Sequence, residues 1–393
     1  MSGWGLDAVM RRLVRLDEDS LLAAARRRAR ADDFGDDAFR EPLRRLLASL
    51  ENESRLKPLG RIGARTDLIQ MLVNRLEMQR DRTSNRAIAE EDIRRPLFIT
   101  GLPRTGSTFL HGLLAQDPEN RVPIHWQTRQ PSPPPTSTSD EARRARHAER
   151  QIRIFYRLAP EFRRIHPVAA WMPEECVVIL SHAFLSFQFS STFLVPSYQN
   201  WLEEQDLTPA YRLHRRFLQH LQWRRPGQRW VLKAPPHMPG LQALFAVYPD
   251  ANVVMTHRDP TEVVASVSSL HYVLRRTFCS GITAQDIGPE VTHMLAGDIQ
   301  RGLAARDAGV AAAERFCDIR YAELLDDPLA TVRRIYRQFD MALGDEAEAR
   351  MHRYVAATPK DKHGVHEYSL AQFALDAHTE SARYGDYRAR FGV

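Results

Sequence analysis

Gly101-Leu-Pro-Arg-Thr-Gly-Ser-Thr108 sets a glycine at each end of a short turn and follows it with two hydroxyl side chains. An apolar run, Leu97-Phe98-Ile99, precedes the turn, and Phe109, Leu110, Leu113 and Leu114 follow with helical spacing. A glycine-bounded turn between a strand and a helix N-terminus offers backbone N–H groups to an anion. The pattern approaches G-x-x-x-x-G-K-[ST]. However, Ser107 occupies the lysine position, and the loop's cation is Arg104. Farther on, Arg258 follows a second apolar run, with Ser266 about two helical turns beyond it. An arginine and a hydroxyl so placed can grip one phosphate from two sides. Between these groups in sequence, Lys233 ends a third apolar run. Two separate anion sites suit a nucleotide with phosphate at both ends of its ribose.

Such groups must be held at the ends of strands. Leu97–Ile99, Trp230–Leu232, Asn252–Thr256 and Phe316–Tyr321 read as buried strands. Helical patterns at Leu207–Trp223, Leu241–Tyr248, Thr261–Leu270, 281–315 and Ala322–Phe339 separate or follow them. This alternation predicts an α/β fold, a parallel sheet flanked by helices, with ligands gathered at the strands' carboxyl ends. Residues 1–95 carry helical spacing and no chemistry motif, and are expected to form an N-terminal helical layer packed on a main domain at 96–393. Within that layer, Arg26–Arg30 reads as a solvated helix face. Pro131–Ser139 is a loop by composition, and Asp140–Leu158 is a charged helix. Residues 174–201 crowd Phe184, Phe187, Phe189, Phe193, Tyr198 and Trp201 behind Glu174-Glu175. They read as a core helix, one face of which could also line an apolar acceptor pocket.

Composition narrows the class. Lys and Arg number 55 against 49 Asp and Glu, a formal net charge of +6, which suits an anionic ligand. Cys176, Cys279 and Cys317 show neither metal-ligand spacing nor a disulfide pattern. With no run of about 18 apolar residues and no signal-peptide pattern at the N-terminus, a cytoplasmic protein is expected.

The loop Gly101–Thr108 resembles the 5′-phosphosulfate loop of sulfotransferases that use 3′-phosphoadenosine 5′-phosphosulfate (PAPS). His257-Arg258-Asp259-Pro260 through Ser266 resembles their 3′-phosphate motif, and Ile319-Arg320-Tyr321-Ala322-Glu323-Leu324 a later segment whose tyrosine lies near adenine. The match runs over roughly residues 95–340, and the Arg-Thr-Gly-Ser-Thr loop is closest to the bacterial and protein-tyrosine branches. The resemblance implies a P-loop-like domain. It also implies donor binding by Arg104, Thr105, Gly106, Ser107, Thr108, Arg258, Ser266 and Tyr321, with Lys233 and Arg104 countering charge on the leaving phosphate. No metal is required. Lys362, His363 and Gly364 resemble a late basic loop that closes over the 3′-phosphate. For the general base, the family offers a histidine after the strand-end lysine, here His237, or a glutamate after the loop helix. In the second position this chain has His125-Trp126-Gln127. His237, His125 and Glu175 therefore stand as alternatives.

The expected function is transfer of a sulfuryl group from PAPS to a hydroxyl or amine of a small-molecule or lipid-like, partly apolar acceptor, without nucleic acid. Two other readings compete with it. One is a Mg²⁺-dependent P-loop kinase or NTPase, against which stand the absent lysine after Gly106 and the lack of a strand-end aspartate in Asn252–Arg258. The other is a non-catalytic nucleotide-binding module.

Overall fold

The inner apolar runs become strands buried on both faces, as in a parallel sheet covered by helices, while the run at Phe316–Arg320 leaves Asp318 and Arg320 exposed. The computed structural model describes residues 9–134, 137–225, 229–358 and 369–393. Its sheet comprises β1 (Leu97–Gly101), β2 (Asn120–Arg121), β3 (Arg229–Lys233), β4 (Asn252–His257) and β5 (Phe316–Arg320), in the order β2-β3-β1-β4-β5 with every pairing parallel. Central β1 sets Ile99 opposite both Lys233 and Val254. The carboxyl ends at Gly101, Lys233 and His257 therefore share one edge. The two-residue β2 is too short to leave a periodic signal, and sequence reading missed it.

Alternating side chains divide the core. Phe98, Leu232, Val253 and Met255 enter one cluster with the helices Thr208–Gln222, Leu241–Val247 and Ala284–Asp307. Leu97, Ile99, Val231, Val254 and Ile319 enter another, on the opposite face. There they meet α1 (Ser107–Leu114), α3 (Tyr321–Asp326) and the helices Pro328–Gln338 and Asp345–Ala357. The pattern expected as one helix over 322–339 divides at Asp327, whose side chain caps the second helix, with Pro328 in its first turn. Helix α2 (Pro260–Phe278) follows β4, and Asp259 caps it by accepting from Thr261 N–H.

The helices Glu18–Ala29, Arg40–Asn52 and Pro58–Ser84 form a third cluster with residues 180–213. The aromatic stretch is spent there. Phe184, Phe187, Phe189, Phe193 and Tyr198 are all buried in that cluster, in keeping with the core reading of the stretch. It is not one helix. Phe184 takes a left-handed backbone (φ 55°) and Pro196 opens a new turn, leaving short pieces at Cys176–Leu180, Gln188–Thr192 and Pro196–Glu203. At the other end of the chain, two short helices, Ala377–Arg383 and Gly385–Phe391, return to the sheet. Tyr387 Oη lies 2.7 Å from His257 Nδ1, and Phe391 stacks on the His257 ring at 3.8 Å.

Candidate active site

Backbone geometry at the β1–α1 turn forces its glycines. Gly101 has φ +126°, and a Cβ there would lie 2.2 Å from the Thr256 carbonyl oxygen. Gly106 has φ +83°, and a Cβ would lie 2.9 Å from Leu324 and 3.1 Å from the Tyr321 ring. Only glycine meets both demands without strain. Arg104, at φ 65°, also sits in the left-handed region, so the turn curls its N–H groups inward over the start of α1.

Thr105 is fully buried. Its hydroxyl donates to Leu102 O (2.7 Å) and lies 2.6 Å from the hydroxyl of Thr256 on β4. That side chain fastens the loop to the sheet, leaving Thr105 only its backbone N–H for an anion. Ser107 is buried and Thr108 exposed at the first turn of α1.

The two anion groups meet. Arg104 Nε donates to Ser266 Oγ on α2 (3.2 Å), and its Nη1 donates to the Ile165 carbonyl (2.8 Å). Arg258 Nη1 donates to the Arg104 carbonyl (3.1 Å), and its guanidinium lies 4.6 Å from the centre of the Tyr321 ring. Arg258 also pairs with Glu262 one turn into α2. Arg104, Arg258, Ser266 and Tyr321 thus form one contiguous group at the strand ends.

Lys233 lies beside them. Its Nζ donates to Thr108 Oγ1 (3.1 Å) and pairs with the Glu175 carboxylate, while the side chain is almost wholly buried. His166 Nε2 lies 3.1 Å from the same Glu175 oxygen. Burial alone would raise the Glu175 carboxyl, but Lys233 and His166 outweigh it and hold the group well below the usual carboxylate range. Glu174 points the other way and pairs with His125 Nδ1. Burial raises the Glu174 carboxyl too, and the His125 bond and charge, the Glu175 N–H and His166 together more than reverse it.

The three candidate bases part company here. His237 is fully buried beneath the sheet, its Nδ1 2.7 Å from Tyr211 Oη and its ring edge-on to Phe98. Burial, with His214 nearby, drives it well below the ordinary imidazole value. Glu175 touches Lys233 directly, and His125 reaches the group through Glu174. Gln127 turns inward and accepts from Ile124 N–H (3.3 Å), closing its own short helix. Residues 170–174 pair antiparallel with 123–126 and bring Glu174 and Glu175 alongside that turn: Glu174 N–H donates to Pro123 O at 2.8 Å and His125 N–H to Met172 O at 3.0 Å. His166 and Thr256 were not singled out in the sequence, because a lone histidine in an arginine-rich stretch and a strand threonine carry no pattern. Lys362, His363 and Gly364 lie outside the described residues.

Comparison with known proteins agrees with this geometry. A family model described as "Sulfotransferase family" matches residues 96–345, well over half of the chain. The chain belongs to that family and is a transferase enzyme with the family's P-loop-like fold. It is 34% identical to sulfotransferase STF1 from Mycobacterium tuberculosis, with a TM-score of 0.84 over 94% of this chain and 98% of that one. Sulfotransferase STF9 from Mycobacterium avium superposes at a TM-score of 0.82 with 27% identity, over 95% and 96% of the two chains. A curated relative in Mycobacterium bovis and Mycobacterium tuberculosis, omega-hydroxy-beta-dihydromenaquinone-9 sulfotransferase Stf3, is 26% identical over 314 residues, 76% of this chain and 75% of its own. The kinase reading is thereby set aside. Among the described residues, no helix is long and apolar enough to cross a membrane.

Proposed function

We propose that the enzyme moves a sulfuryl group from PAPS to the hydroxyl of a lipid-like acceptor, with Glu175 as the proton acceptor. The observation that carries this reading is the placement of Lys233, whose one ammonium spans Thr108 at the anion loop and the carboxylate of Glu175. The site fits the donor chemically. The glycine turn packs closely against Tyr321 and Leu324, with no room for a side chain at Gly106. The Arg104–Ser266–Arg258 group supplies a second cationic end, and Tyr321 presents an aromatic face beside it.

When bound, the donor supplies the activated sulfuryl group and departs as 3′,5′-ADP. The protein's own residues do the rest. The turn's N–H groups and Arg104 hold the 5′ end, while Arg258 and Ser266 hold the 3′-phosphate. Lys233 turns from Glu175 toward the leaving oxygen, where negative charge develops. That movement removes the nearest cation from Glu175, so the carboxylate's proton affinity rises as the acceptor hydroxyl must be deprotonated. The new S–O bond forms to the acceptor oxygen, the S–O bond to the phosphate breaks, and the hydroxyl proton passes to Glu175. His125, held from behind by Glu174, is a second reading for the proton acceptor, because that bond leaves its Nε2 unengaged.

The lipid-like acceptor rests on the printed substrate of the Stf3 relative. A cytoplasmic location rests on three buried, unpaired cysteines. Isothermal titration tests the donor assignment. 3′,5′-ADP should bind far more tightly than 5′-AMP or ATP, and Arg258→Ala should abolish the preference. Equal affinity for 5′-AMP would overturn the two-ended site.

A further inference from the structure

We propose that the outer face of helix Thr138–Leu158 is a docking surface for an anionic lipid bilayer. The proposal rests on the lipid-like acceptor reading above. Four arginines, Arg146, Arg150, Arg153 and Arg157, recur at helical intervals on this element, and all are exposed. At 3.6 residues per turn they share an arc of about 60° and a length of about 16 Å. Among the described residues none of the four has an acidic partner. The helix's own acids are engaged elsewhere: Asp140 with Arg143 and Arg144, Glu141 with Arg225, and Glu149 accepting from Ala170 N–H (3.2 Å). Glu161, just beyond the helix, pairs with Arg276.

Apolar side chains adjoin the row. Ile154 is 58% exposed and Leu158 42%, on the flank where the arginine arc ends, and Trp171, next to the Ala170 anchored by Glu149, is 55% exposed. Unpaired arginines beside exposed Ile, Leu and Trp are the composition of an interfacial helix, whose cations meet lipid headgroups while apolar groups enter the acyl boundary. A nucleic acid would draw on the same charge but would give no role to the apolar groups.

The face also leads into the active site. Tyr156 Oη donates to Val168 O (2.9 Å). Between Tyr156 and Val168 lie Ile165, whose carbonyl accepts from Arg104, and His166, which holds Glu175. A bilayer seated here would present a lipid acceptor beside the catalytic carboxylate.

Co-sedimentation of the full chain tests the surface, using vesicles of phosphatidylcholine alone and of phosphatidylcholine with phosphatidylglycerol. Binding should require phosphatidylglycerol and weaken with salt. It should fall at least about tenfold in R150E/R153E, given the worth of each cation near an anionic surface, and fall more modestly in I154S/L158S. Both variants should keep the wild-type circular dichroism spectrum and sulfate a short, water-soluble alcohol at the wild-type rate. Equal binding to the two vesicle types, no vesicle binding by folded wild type, or displacement of bound protein by DNA but not by further anionic vesicles would each overturn the proposal. Should the acceptor reading alone be wrong, vesicle binding persists while lipid alcohols go unsulfated.

Discussion

The ammonium of Lys233 bridges Thr108 and Glu175 at the end of β3. If it stabilises the leaving oxygen, Lys233→Ala should lower kcat about 10²- to 10³-fold, with the donor KM changed much less. The same substitution has a signed effect on pH dependence. Burial raises the Glu175 carboxyl and Lys233 pulls it down. Without the lysine its pKa climbs, and the acid limb of the kcat/KM profile should move to higher pH. An unmoved limb would separate Glu175 from the proton transfer. Glu175→Gln should cost about 10²- to 10⁴-fold in kcat/KM, against a smaller loss in His237→Ala once folding is confirmed. The reverse order would return the role to the buried histidine. The lysine was readable in the sequence from its place after an apolar run. The ranking of bases was not, because spacing from Lys233 cannot tell a residue in the cleft from one sealed against Tyr211 and Phe98.

At the scale of elements, the β1–α1 turn and α3 are fitted to each other through Gly106. Gly106→Ala would force a Cβ into Leu324 and Tyr321 at a left-handed backbone position. Titration should show donor-nucleotide affinity reduced about 5- to 30-fold, given a strain of about 1–2 kcal/mol. Wild-type affinity would mean that α3 simply moves aside. The C-terminal helix bears on the same edge. His257 is held by Tyr387 and Phe391, and its Nε2 lies 2.8 Å from Asp318 on β5, which Arg306 also grips. Ending the chain after Arg383 should loosen the β4 exit that carries Arg258 and weaken nucleotide binding before it abolishes folding. The three inner strands of the sheet were legible because burial on both faces writes continuous apolar runs. The polar tail was not, since its packing rests on a few aromatic contacts that make no periodic pattern.

Across the whole molecule, several histidines are buried, and burial outweighs every contact that would favour their charged form. Burial lowers His111, His214 and His271 from an ordinary 6.5 to about 3, and His182 and His220 to about 4. A depressed folded-state value means that stability is fully present above about pH 6.5 and is lost as pH falls, because the unfolded chain takes up protons first. Each such group contributes a slope of up to about 1.4 kcal/mol per pH unit in that window. The urea midpoint should therefore drop steeply between pH 7.5 and about pH 5. A flat midpoint over that range would mean these side chains meet water. Composition counts the histidines but says nothing of where they sit, so this property emerges only from the packed fold. The partner of the expected N-terminal layer, residues 180–213, was likewise hidden. Amphipathic spacing says that a helix has a partner, and an aromatic stretch that reads as core cannot say which partner it has.

Arg104 reaches from the turn to Ser266 while its own carbonyl takes the Arg258 guanidinium. On the proposed assignment, the two ends of the nucleotide are therefore not recognised as independent events. Seating either phosphate would rearrange the contacts that receive the other, so the binding free energies of 5′-AMP and 3′-AMP should not sum toward that of 3′,5′-ADP. In a double-mutant cycle, Arg104→Ala and Arg258→Ala should show a coupling energy between 0.5 and about 3 kcal/mol, the signature of a single recognition unit built from two distant stretches of chain.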